Sequence, residues 1–426
     1  MKILLVGSGG VGDALSRILA RRFRTRPFAD AVVVADYDLA RAQRTVEAVR
    51  HREGDAGARA FSAARVDASD AASVEALARE VGATHVMNAV DPRFVMPIFT
   101  GALAAGADYL DMAMSLSKPH PTEPYAKTGV KLGDEQFALA PQWEDAGRLA
   151  LVGIGVEPGL ADVFARYACE ELFETVTELG VRDGANLTVD GYEFAPSFSI
   201  WTTIEECLNP PVVWDDGAWS TLPPFSEPEV FDFPGGIGPV ECVHVEHEEV
   251  LLMPRWLQAD RVTFKYGLGE EFIGVLKTLR KLGLDRTEPI TVKGTVVSPR
   301  DVVAASLPDP ATLGPLMRGA TCAGLLVTGT GKGEGFAGRP REVYLHHVVD
   351  NAWSMEEFGA QCVVWQTAVN PAVALELLAD GRWSGAGVLG PEALPHRPFL
   401  DLLAAEDGYA SPWGMQERTP TSSSSS

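Results

Sequence analysis

The sequence predicts an α/β protein with two domains, a doubly wound parallel sheet followed by a mixed α/β domain with a largely antiparallel sheet. Two observations predict this fold class. Short apolar runs alternate with amphipathic stretches over the first 155 residues. Beyond about residue 175 the strand-like stretches lengthen and follow one another with short polar connections. The first pattern is typical of βαβ units, and the second is typical of an antiparallel meander.

The first half is predicted to alternate strands with helices. The apolar runs are Lys2–Val6, Ala31–Asp36, Ala60–Asp67, Thr84–Val90, Asp108–Met112 and Leu149–Ile154. Apolar residues at spacings of three and four predict helices over Val11–Phe23 and Leu39–His51. Because βαβ crossovers place helices on the faces of a sheet, we expect a parallel sheet that is covered on both sides.

The second half is predicted to be richer in strands. The strand-like stretches are Val176–Arg182, Val240–Val250, Arg261–Tyr266, Thr321–Gly331, Glu342–Val349 and Gln361–Thr367. The last three are predicted to form a meander. Helices are expected at Glu270–Leu282, Pro299–Ser306 and Pro371–Ala379, and surface loops at Leu208–Pro224 and Phe233–Pro239.

Length and charge limit the organisation and the function. For 426 residues we expect a dinucleotide-binding-like domain over 1–155, completed by about 368–415, and a second domain over 156–367 for substrate binding and dimerisation. The low-complexity end predicts a disordered tail over 416–426. The formal net charge of −22 (36 − 58) argues against binding to nucleic acid or to an anionic membrane, because phosphate binding needs clustered Lys and Arg.

The cysteines and the apolar stretches favour a cytoplasmic protein. The five cysteines lie scattered without a CxxC pair, which predicts a reducing compartment and no zinc site. The apolar run before Gly7 is too short for a signal peptide. We expect no apolar stretch that approaches the roughly 18 residues needed to cross a bilayer.

A glycine-rich motif, GSGGVG at 7–12, follows the first predicted strand and opens the first predicted helix. In this context Gly7 permits a tight turn, Gly9 permits close approach of a pyrophosphate, and Gly12 permits close packing of helix on strand. The motif predicts a Rossmann-type dinucleotide site, with the pyrophosphate at the helix N-terminus. The predicted cofactor-binding residues of this turn are Gly7, Gly9, Gly10, Val11 and Gly12.

An acid at the end of the second strand favours NAD over NADP. Asp36 lies 24 residues after Gly12, where a carboxylate accepts hydrogen bonds from ribose hydroxyls and repels a 2′-phosphate. No arginine follows it directly. We therefore predict NAD as the cofactor.

Polar residues end two further strands of this half. Asp67 ends the third strand and is predicted either to approach the adenine or to cap the following helix, a role that Ser69 could fill instead. Asn88, Ala89 and Val90 end the fourth strand, where ligands bind in open α/β sheets. We predict these three beside the nicotinamide; the alternative for Asn88 is a loop residue in an Asx turn.

Acids at the last two strand ends are candidates for the chemistry. Asp111 lies between apolar residues in the run that contains Tyr109, so it is either hydrogen-bonded or an acid–base group. Glu157 precedes Pro158 and Gly159 at a predicted helix start whose N–H groups could hold a substrate carboxylate. The alternative for Glu157 is a partner of the helix dipole.

The second half supplies candidate substrate contacts. Glu193, Ser197 and Ser199 are polar residues in an otherwise apolar loop. His244 is a candidate for substrate contact, and it lies three residues before His247 on a predicted strand, so that the two point to opposite faces. That arrangement argues against a metal pair, and we predict a polar strand edge and no metal site.

Taken together, the motifs resemble the saccharopine dehydrogenase family. The resemblance rests on GSGGVG, RVDASD, VMNAVDP, GADYLDMA and GIGVEPGLADVFARYA, and continues in GYEFAPSFSIWTTIEECLNPP, FSEPEVFDFPGGIGPVECVHVEHEEV and GVLGPEAL, to about residue 410. Such enzymes transfer hydride between nicotinamide and a carbon that bears nitrogen. The resemblance implies an NAD(P)-dependent dehydrogenase acting on CH–NH or CH–NH2 groups.

The resemblance leaves the substrate open. It implies a small-molecule, lysine-derived amino acid, as in saccharopine or L-lysine 6-dehydrogenases; the alternatives are a carboxynorspermidine-type dehydrogenase and a non-catalytic NAD-binding sensor. For the general base we expect Asp111 first, then Glu157 or His244. The predicted substrate contacts are Tyr109, Gly159, Glu193, Ser197 and Ser199. We expect a homodimer.

Overall fold

The computed structural model describes residues 1–419, which form two compact units. The first unit comprises Met1–Ser117, Lys131–Leu160 and Asn351–Ser411. The second comprises Lys118–Val130, Ala161–Asp350 and the described residues from Pro412 onward. Compared with the predicted bounds, segments 118–130 and 412–415 lie in the second unit, 156–160 lie in the first, and the chain returns to the first unit at Asn351 rather than at about residue 368.

The strands are β1 (Lys2–Val6), β2 (Ala31–Asp36), β3 (Phe61–Arg65), β4 (His85–Asn88), β5 (Asp108–Leu110), β6 (Lys118–Pro119), β7 (Thr128–Val130), β8 (Leu149–Leu151), β9 (Phe173–Ala185), β10 (Thr188–Val189), β11 (Val212–Asp215), β12 (Ala218–Thr221), β13 (Glu229–Phe233), β14 (Gly238–His244), β15 (Arg261–Gly267), β16 (Ile290–Val292), β17 (Thr295–Val297), β18 (Met317–Arg318), β19 (Ala320–Gly331), β20 (Pro340–Asp350), β21 (Gly387–Leu389) and β22 (Gly414–Arg418). The helices are α1 (Gly10–Phe23), α2 (Leu39–Ala58), α3 (Ala71–Val81), α4 (Val95–Ala105), α5 (Asp134–Phe137), α6 (Ala140–Asp145), α7 (Leu160–Tyr167), α8 (Ile200–Leu208), α9 (Glu249–Trp256), α10 (Gly269–Leu282), α11 (Pro299–Ser306), α12 (Pro310–Leu313), α13 (Asn351–Phe358), α14 (Cys362–Ala379) and α15 (His396–Ala404). Short 3₁₀ turns lie at Pro92–Phe94, Gly314–Leu316 and Pro391–Ala393, and a π-helical turn lies at Ala168–Leu172.

The first unit is built on a parallel sheet. Within the described residues its order is β21-β8-β5-β4-β1-β2-β3. From β1 the chain runs outward through β2 and β3, then returns to β4 on the other side and continues outward. The predicted doubly wound sheet is therefore confirmed, and β1 and β4 flank the point where the winding reverses. Ligands of such sheets bind at that point, at the carboxyl ends of the strands.

Apolar strands and helices form the core of this unit. β1 is buried from Ile3 to Val6, as expected for a central strand covered on both faces.

Helix α3 is capped by Asp70, whose side chain accepts a hydrogen bond from the Ala72 amide, and it ends at Gly82 in the left-handed conformation. The cap is therefore neither Asp67 nor Ser69, the two residues considered from the sequence.

Helix α14 contradicts two predictions made from the sequence. Gln361–Thr367 was predicted as a strand, but Gln361 caps a helix that runs from Cys362 to Ala379. The apolar, β-branched start resembles a buried strand, and periodicity cannot distinguish the two when a helix is buried on all sides. The helix also has the length and composition of a membrane span, with mean hydropathy 1.3 over 18 residues, contrary to expectation. Because 78% of it is buried inside the protein, it has the burial of a core helix.

The second unit contains a larger sheet that is mostly antiparallel, as predicted. In the described part of the chain its main path is β12-β11-β15-β9-β19-β20-β22, and the β13–β14 pair joins it at β15. Only the β9–β15 pairing of these is parallel. The predicted β19–β20 hairpin is present, but β22 takes the place expected for Gln361–Thr367. Residues 416–418 of the predicted tail thus lie in a strand, and 420–426 lie outside the described residues.

One of the two predicted loops of the second unit contains two strands. Within Leu208–Pro224, β11 and β12 form a hairpin joined by Asp216 and Gly217, which both have positive φ. Asp-Gly is a strong hairpin signal that the loop prediction overlooked. The other predicted loop, Phe233–Pro239, agrees with the structure: it connects β13 to β14, and only its end residues belong to those strands.

The predicted strand Val240–Val250 is wrong in its second part. β14 ends at His244, and α9 starts at Glu249. The side chains of His244, Glu246, His247, Glu248 and Glu249 are all buried. The segment is therefore an interior turn rather than the polar strand edge that the sequence suggested.

Candidate active site

The glycine turn between β1 and α1 has the shape of a phosphate cradle. Gly7 has φ +102°, and a Cβ there would lie 2.6 Å from the Ala89 carbonyl oxygen. A Cβ on Gly12 would lie 2.0 Å from the Gly7 carbonyl oxygen, so helix and turn pack as closely as predicted. At Gly9, by contrast, a Cβ would meet nothing within 4 Å.

The start of α1 is also suited to an anion. No side chain caps the helix at Gly9, so the amides of the first turn, which includes Gly10 and Val11, have no side-chain acceptor from that position. The unpaired N–H groups and the helix dipole favour a negative charge there. The residues of the turn therefore fit the pyrophosphate of a dinucleotide.

Asp36 is tied to this turn. Its Oδ2 accepts hydrogen bonds from the backbone N–H of Ser8 at 3.0 Å and from the Ser8 hydroxyl at 2.8 Å. Its Oδ1 accepts from the Asp38 amide at 3.0 Å. The acid predicted to bind ribose thus also holds the glycine turn against β2.

Sequence reasoning missed a cation beside Asp36. Arg65 is the direct β3 partner of Asp36, and its guanidinium lies 4.9 Å from the ring centroid of Tyr37. Arg65 and Tyr37 are both exposed. The register that pairs Arg65 with Asp36 follows from strand pairing, which their separation of 29 positions in the sequence does not reveal.

Asp67, Asn88, Ala89 and Val90 lie in unit 1 at the ends of β3 and β4. Asp67 accepts hydrogen bonds from the amide and hydroxyl of Ser69, at 3.0 and 2.6 Å, which lower the pKa of its carboxyl. Asn88 accepts from the Val90 amide, which is the Asx turn considered as its alternative. Ala89 and Val90 border the turn, since both have atoms within 3 Å of the Cβ position of Gly7.

Asp111 is a hydrogen-bonded interior carboxylate. It is 1% exposed, and its Oδ1 accepts from the Gly153 amide at 2.6 Å while its Oδ2 accepts from Gln136 Nε2 at 2.8 Å. Of the two possibilities weighed from the sequence, the hydrogen-bonded one is observed. Burial, followed by Asp111, raises the pKa of Tyr109 well above its usual value. The Tyr109 hydroxyl accepts from Asn88 Nδ2 at 3.0 Å.

Glu157 and Gly159 follow β8 in the same unit. Glu157 is half-buried, and its Oε2 lies in the interior. Gly159 has φ +137°, and a Cβ there would lie 2.0 Å from the Gly155 carbonyl oxygen. The tight loop directs the chain into α7, whose first amide, that of Leu160, donates to Gly155 at 3.1 Å. That amide is therefore engaged within the chain.

The other predicted substrate residues lie in unit 2. Glu193 is exposed and Ser197 is half-buried, both just before α8. Ser199 is the N-cap of α8, and its hydroxyl accepts from the Thr202 amide at 3.3 Å. A helix cap explains this serine without a substrate.

His244 is buried between two acceptors. Its Nδ1 lies 3.1 Å from the Phe264 carbonyl oxygen, and its Nε2 lies 3.1 Å from Glu227 Oε2. Burial lowers the pKa of His244, although Glu227 opposes the shift. Both ring nitrogens are thus engaged within the chain.

The sequence did not lead us to predict a cluster of titratable residues in unit 2. His247, Glu248 and Glu249 converge with Glu206 of α8, and burial raises the pKa of Glu206 to about 8. The pKa of His247 rises to about 10 because Glu249, Glu248 and Glu206 outweigh its burial. The available signal was the four adjacent titratable residues of VEHEEV, and the incorrect strand assignment obscured it.

Comparisons with known proteins agree with this geometry. The sequence model of the saccharopine dehydrogenase NADP binding domain matches residues 3–151, and that of the saccharopine dehydrogenase C-terminal domain matches residues 155–409. The first match covers the glycine turn and Asp36. A nicotinamide dinucleotide is therefore the cofactor of the first unit.

Known relatives match this chain over nearly its whole length. The carboxynorspermidine synthase of Vibrio alginolyticus is 29% identical over 99% of this chain and 98% of its own length. The carboxyaminopropylagmatine dehydrogenase of Synechocystis sp. is 27% identical over 94% and 95%. The structure of apo saccharopine dehydrogenase (L-Glu forming) from Saccharomyces cerevisiae shares the fold, with a TM-score of 0.66 and 15% identity over 98% of this chain and 100% of that one.

The two domain matches together extend over nearly the whole chain, and they coincide with a turn that can hold a dinucleotide. The resemblance drawn from the motifs is confirmed, and the alternative of a non-catalytic sensor is set aside. The chain is an oxidoreductase and belongs to the saccharopine dehydrogenase family.

Proposed function

We propose that this enzyme uses NAD to interconvert a secondary amine and the corresponding imine. The observation that carries the proposal is the open glycine turn at the carboxyl end of β1, tied to the acid Asp36. It supports hydride chemistry with a dinucleotide, and the relatives named above are dehydrogenases or synthases of nitrogen compounds.

In the oxidising direction, the proposed reaction is a two-electron oxidation of the amine. The carbon next to nitrogen loses a hydride and the nitrogen loses a proton, which forms the C=N bond. Bound nicotinamide supplies the hydride acceptor. Water then adds to the imine and releases an aldehyde and a primary amine. The protein must orient the amine and accept its proton.

We propose that Asp111 positions the site and that Glu157 is the stronger candidate for the base. Asp111 accepts hydrogen bonds on both oxygens and is 1% exposed, so proton transfer would require it to leave an ordered interior site. Glu157 is half-buried and follows the carboxyl end of β8 in the unit that contains the glycine turn. His244 is the second candidate.

For the substrate we favour a carboxylated di- or polyamine over a free amino acid such as lysine. The support is that two relatives covering almost the entire chain are named for carboxynorspermidine and carboxyaminopropylagmatine. Both names denote amines that carry a carboxyl-bearing alkyl group. A lysine-derived substrate, our first expectation from the motifs, becomes the second candidate and is supported by the family name.

NAD rather than NADP is the proposed cofactor. The Asp36 carboxylate would repel a 2′-phosphate. Arg65, its strand partner, lies over the Tyr37 ring and hydrogen-bonds the Tyr37 carbonyl oxygen through Nε at 3.3 Å. This contact supports a role for Arg65 in holding Tyr37 rather than in binding phosphate.

A cytoplasmic homodimer also remains our proposal. The structure forms no disulfide between its five cysteines, all of which lie in the described part of the chain, and this supports a reducing compartment. Light scattering on the purified protein would measure the mass of the particle, and a mass of one chain would refute the dimer.

A substrate panel tests the proposed function. The enzyme is incubated with NAD or NADP and with carboxynorspermidine, carboxyaminopropylagmatine, saccharopine or lysine, and the absorbance of reduced nicotinamide is followed. We expect turnover with a carboxylated polyamine, with NAD preferred. Turnover with lysine or saccharopine alone would favour the second candidate. No turnover with any of the four, in protein that binds NADH by fluorescence, would refute the proposal.

A further inference from the structure

Four ionisable side chains of unit 2 converge in the interior. His247 and Glu248 lie between β14 and α9, Glu249 opens α9, and Glu206 belongs to α8. Ligand-type atoms of His247, Glu248 and Glu249 all lie within 4.8 Å of one another. Glu206 is joined to the same turn, because its carbonyl oxygen accepts a hydrogen bond from the Glu246 amide at 2.9 Å. We call these four residues the HEEE cluster.

The imidazole of the cluster is held in place. The His247 ring stacks on Phe264 of β15, with centroids 3.8 Å apart and planes 3° from parallel. This stacking fixes the ring plane, and Nδ1 points at two carboxylates, 2.5 Å from Glu249 Oε2 and 3.5 Å from Glu248 Oε2. A nitrogen donor and carboxylate oxygens therefore face one another at short range.

Glu249 provides the observation that points to a ligand. Its side chain is completely buried, and Oε1 finds no hydrogen-bond partner among the described residues. That oxygen shares a carbon with Oε2, which contacts His247, so it lies at the cluster. Leaving a buried carboxylate oxygen unpaired is costly, and the cost is removed when the oxygen binds a cation.

We propose that the HEEE cluster binds a divalent transition-metal cation, with His247, Glu248 and Glu249 as ligands and Glu206 beside them. An imidazole nitrogen with carboxylate oxygens is a donor set that suits zinc or manganese. An ammonium ion is the weaker fit, because it cannot accept the lone pairs of the imidazole and the carboxylates, whereas a metal would take the place of the proton between His247 Nδ1 and Glu249 Oε2.

The distances agree with such a site. In a tetrahedral zinc site, bonds of roughly 2.0–2.2 Å place ligand atoms about 3.4 Å apart. The 3.5 Å between His247 Nδ1 and Glu248 Oε2 already matches. The 2.5 Å contact to Glu249 is a hydrogen bond, and the unpaired Oε1 of Glu249 is the oxygen that could turn toward the metal.

Metal content of the purified enzyme tests the proposal. Chelator-treated full-length protein is dialysed against zinc or manganese and its metal content is measured, for the wild type, Glu249→Gln and the control Glu227→Gln. Glu227 makes a comparable contact, to His244, outside the cluster. We expect about one bound metal per chain in the wild type and in the control, and at least a tenfold loss in Glu249→Gln.

A second readout needs no variant. Cobalt added to the chelator-treated wild type should develop visible d–d absorption that saturates at one equivalent, and zinc should abolish it. Should Glu249→Gln fail to fold, His247→Gln takes its place. No retained metal and no cobalt spectrum would overturn the proposal, leaving a protonated His247 as the only cation of the cluster. The proposal would also be overturned if 1,3-diaminopropane stabilised the protein against unfolding while no metal was taken up. That result would favour an ammonium site.

Discussion

At the residue scale, Asp36 combines two roles that the sequence presents as one. We propose that its charge favours NAD over NADP, and its Oδ2 holds the glycine turn through the amide and hydroxyl of Ser8. Replacing it therefore alters both the electrostatics of the ribose site and the order of the turn. A neighbouring substitution that alters only the turn separates the two effects.

We predict that Asp36→Ser reduces the preference for NAD over NADP by about tenfold or more, because the repulsion of the 2′-phosphate is removed. The measurement is kcat/KM for both cofactors. Ser8→Ala is the matched control, since it deletes the 2.8 Å hydroxyl bond but keeps the charge. It should weaken both cofactors alike. An unchanged NAD/NADP ratio in Asp36→Ser would contradict the assignment.

Asp111 shows why residue type alone does not determine a role. An acid between apolar neighbours at a strand end has the pattern of a general base, yet the same pattern describes a carboxylate that binds a loop amide and a helix side chain by hydrogen bonds. The donors that decide between these roles, Gly153 and Gln136, are 42 and 25 positions away in sequence. The base assignment itself stays a prediction, which the kinetics of Asp111 and Glu157 variants can compare.

At the scale of elements, a buried ion pair joins α1 to α14. Arg22 donates to both oxygens of Glu376 at 2.7 Å, and Glu376 is fully buried. Arg26 lies 2.9 Å from the same carboxylate, and the Tyr409 hydroxyl donates to it at 3.0 Å. Glu376 raises the pKa of Arg22 further. The charged contact fixes the position of a helix that carries no other charged side chain.

We predict that Glu376→Gln lowers the free energy of unfolding by about 3–5 kcal/mol, because it leaves the buried Arg22 without its counter-charge. Urea unfolding followed by circular dichroism measures the change. Asp380→Asn, which removes the more exposed partner of Arg26, is the control and should cost within about 1 kcal/mol. Equal losses of unfolding free energy in the two variants would show that the burial of Glu376 does not increase the contribution of this ion pair to stability.

Element prediction succeeded where local signals agreed with burial. The helices over Val11–Phe23, Glu270–Leu282 and Pro299–Ser306 have strong periodicity, and each appears within one residue of its predicted bounds. It failed at Gln361–Thr367 and at Val240–Val250. In those segments apolar or titratable residues are buried on all sides, so their sequence carries no periodic contrast between an inner and an outer face.

At the scale of the whole molecule, a buried histidine makes stability depend on pH. His347 of β20 is 1% exposed, and its burial, with a smaller effect of His346, lowers its pKa to about 4. The unfolded chain, with a pKa near 6.5, binds a proton between about pH 4 and 6.5 that the folded chain does not. Stability therefore rises with pH through this window and reaches its full value above it.

The same linkage gives the expected loss of unfolding free energy when the pH is lowered. Between about pH 7.5 and pH 5 the wild type should lose about 2 kcal/mol more unfolding free energy than His347→Gln, in which the titrating group is absent. Urea unfolding at the two pH values measures the difference. Parallel losses in the wild type and the variant would mean that His347 titrates normally in the folded protein.

The sequence by itself determined the chemistry of the first unit and the family. GSGGVG, its position after a strand and the acid at the end of the next strand are local patterns, and local backbone geometry dictates the turn that they form. The tertiary structure alone decided which polar groups are paired. It placed Arg65 opposite Asp36, enclosed Asp111 in hydrogen bonds and brought Glu206 within electrostatic range of His247 and Glu249. Those contacts join residues far apart in the chain, and no local pattern encodes the burial that sets their charges.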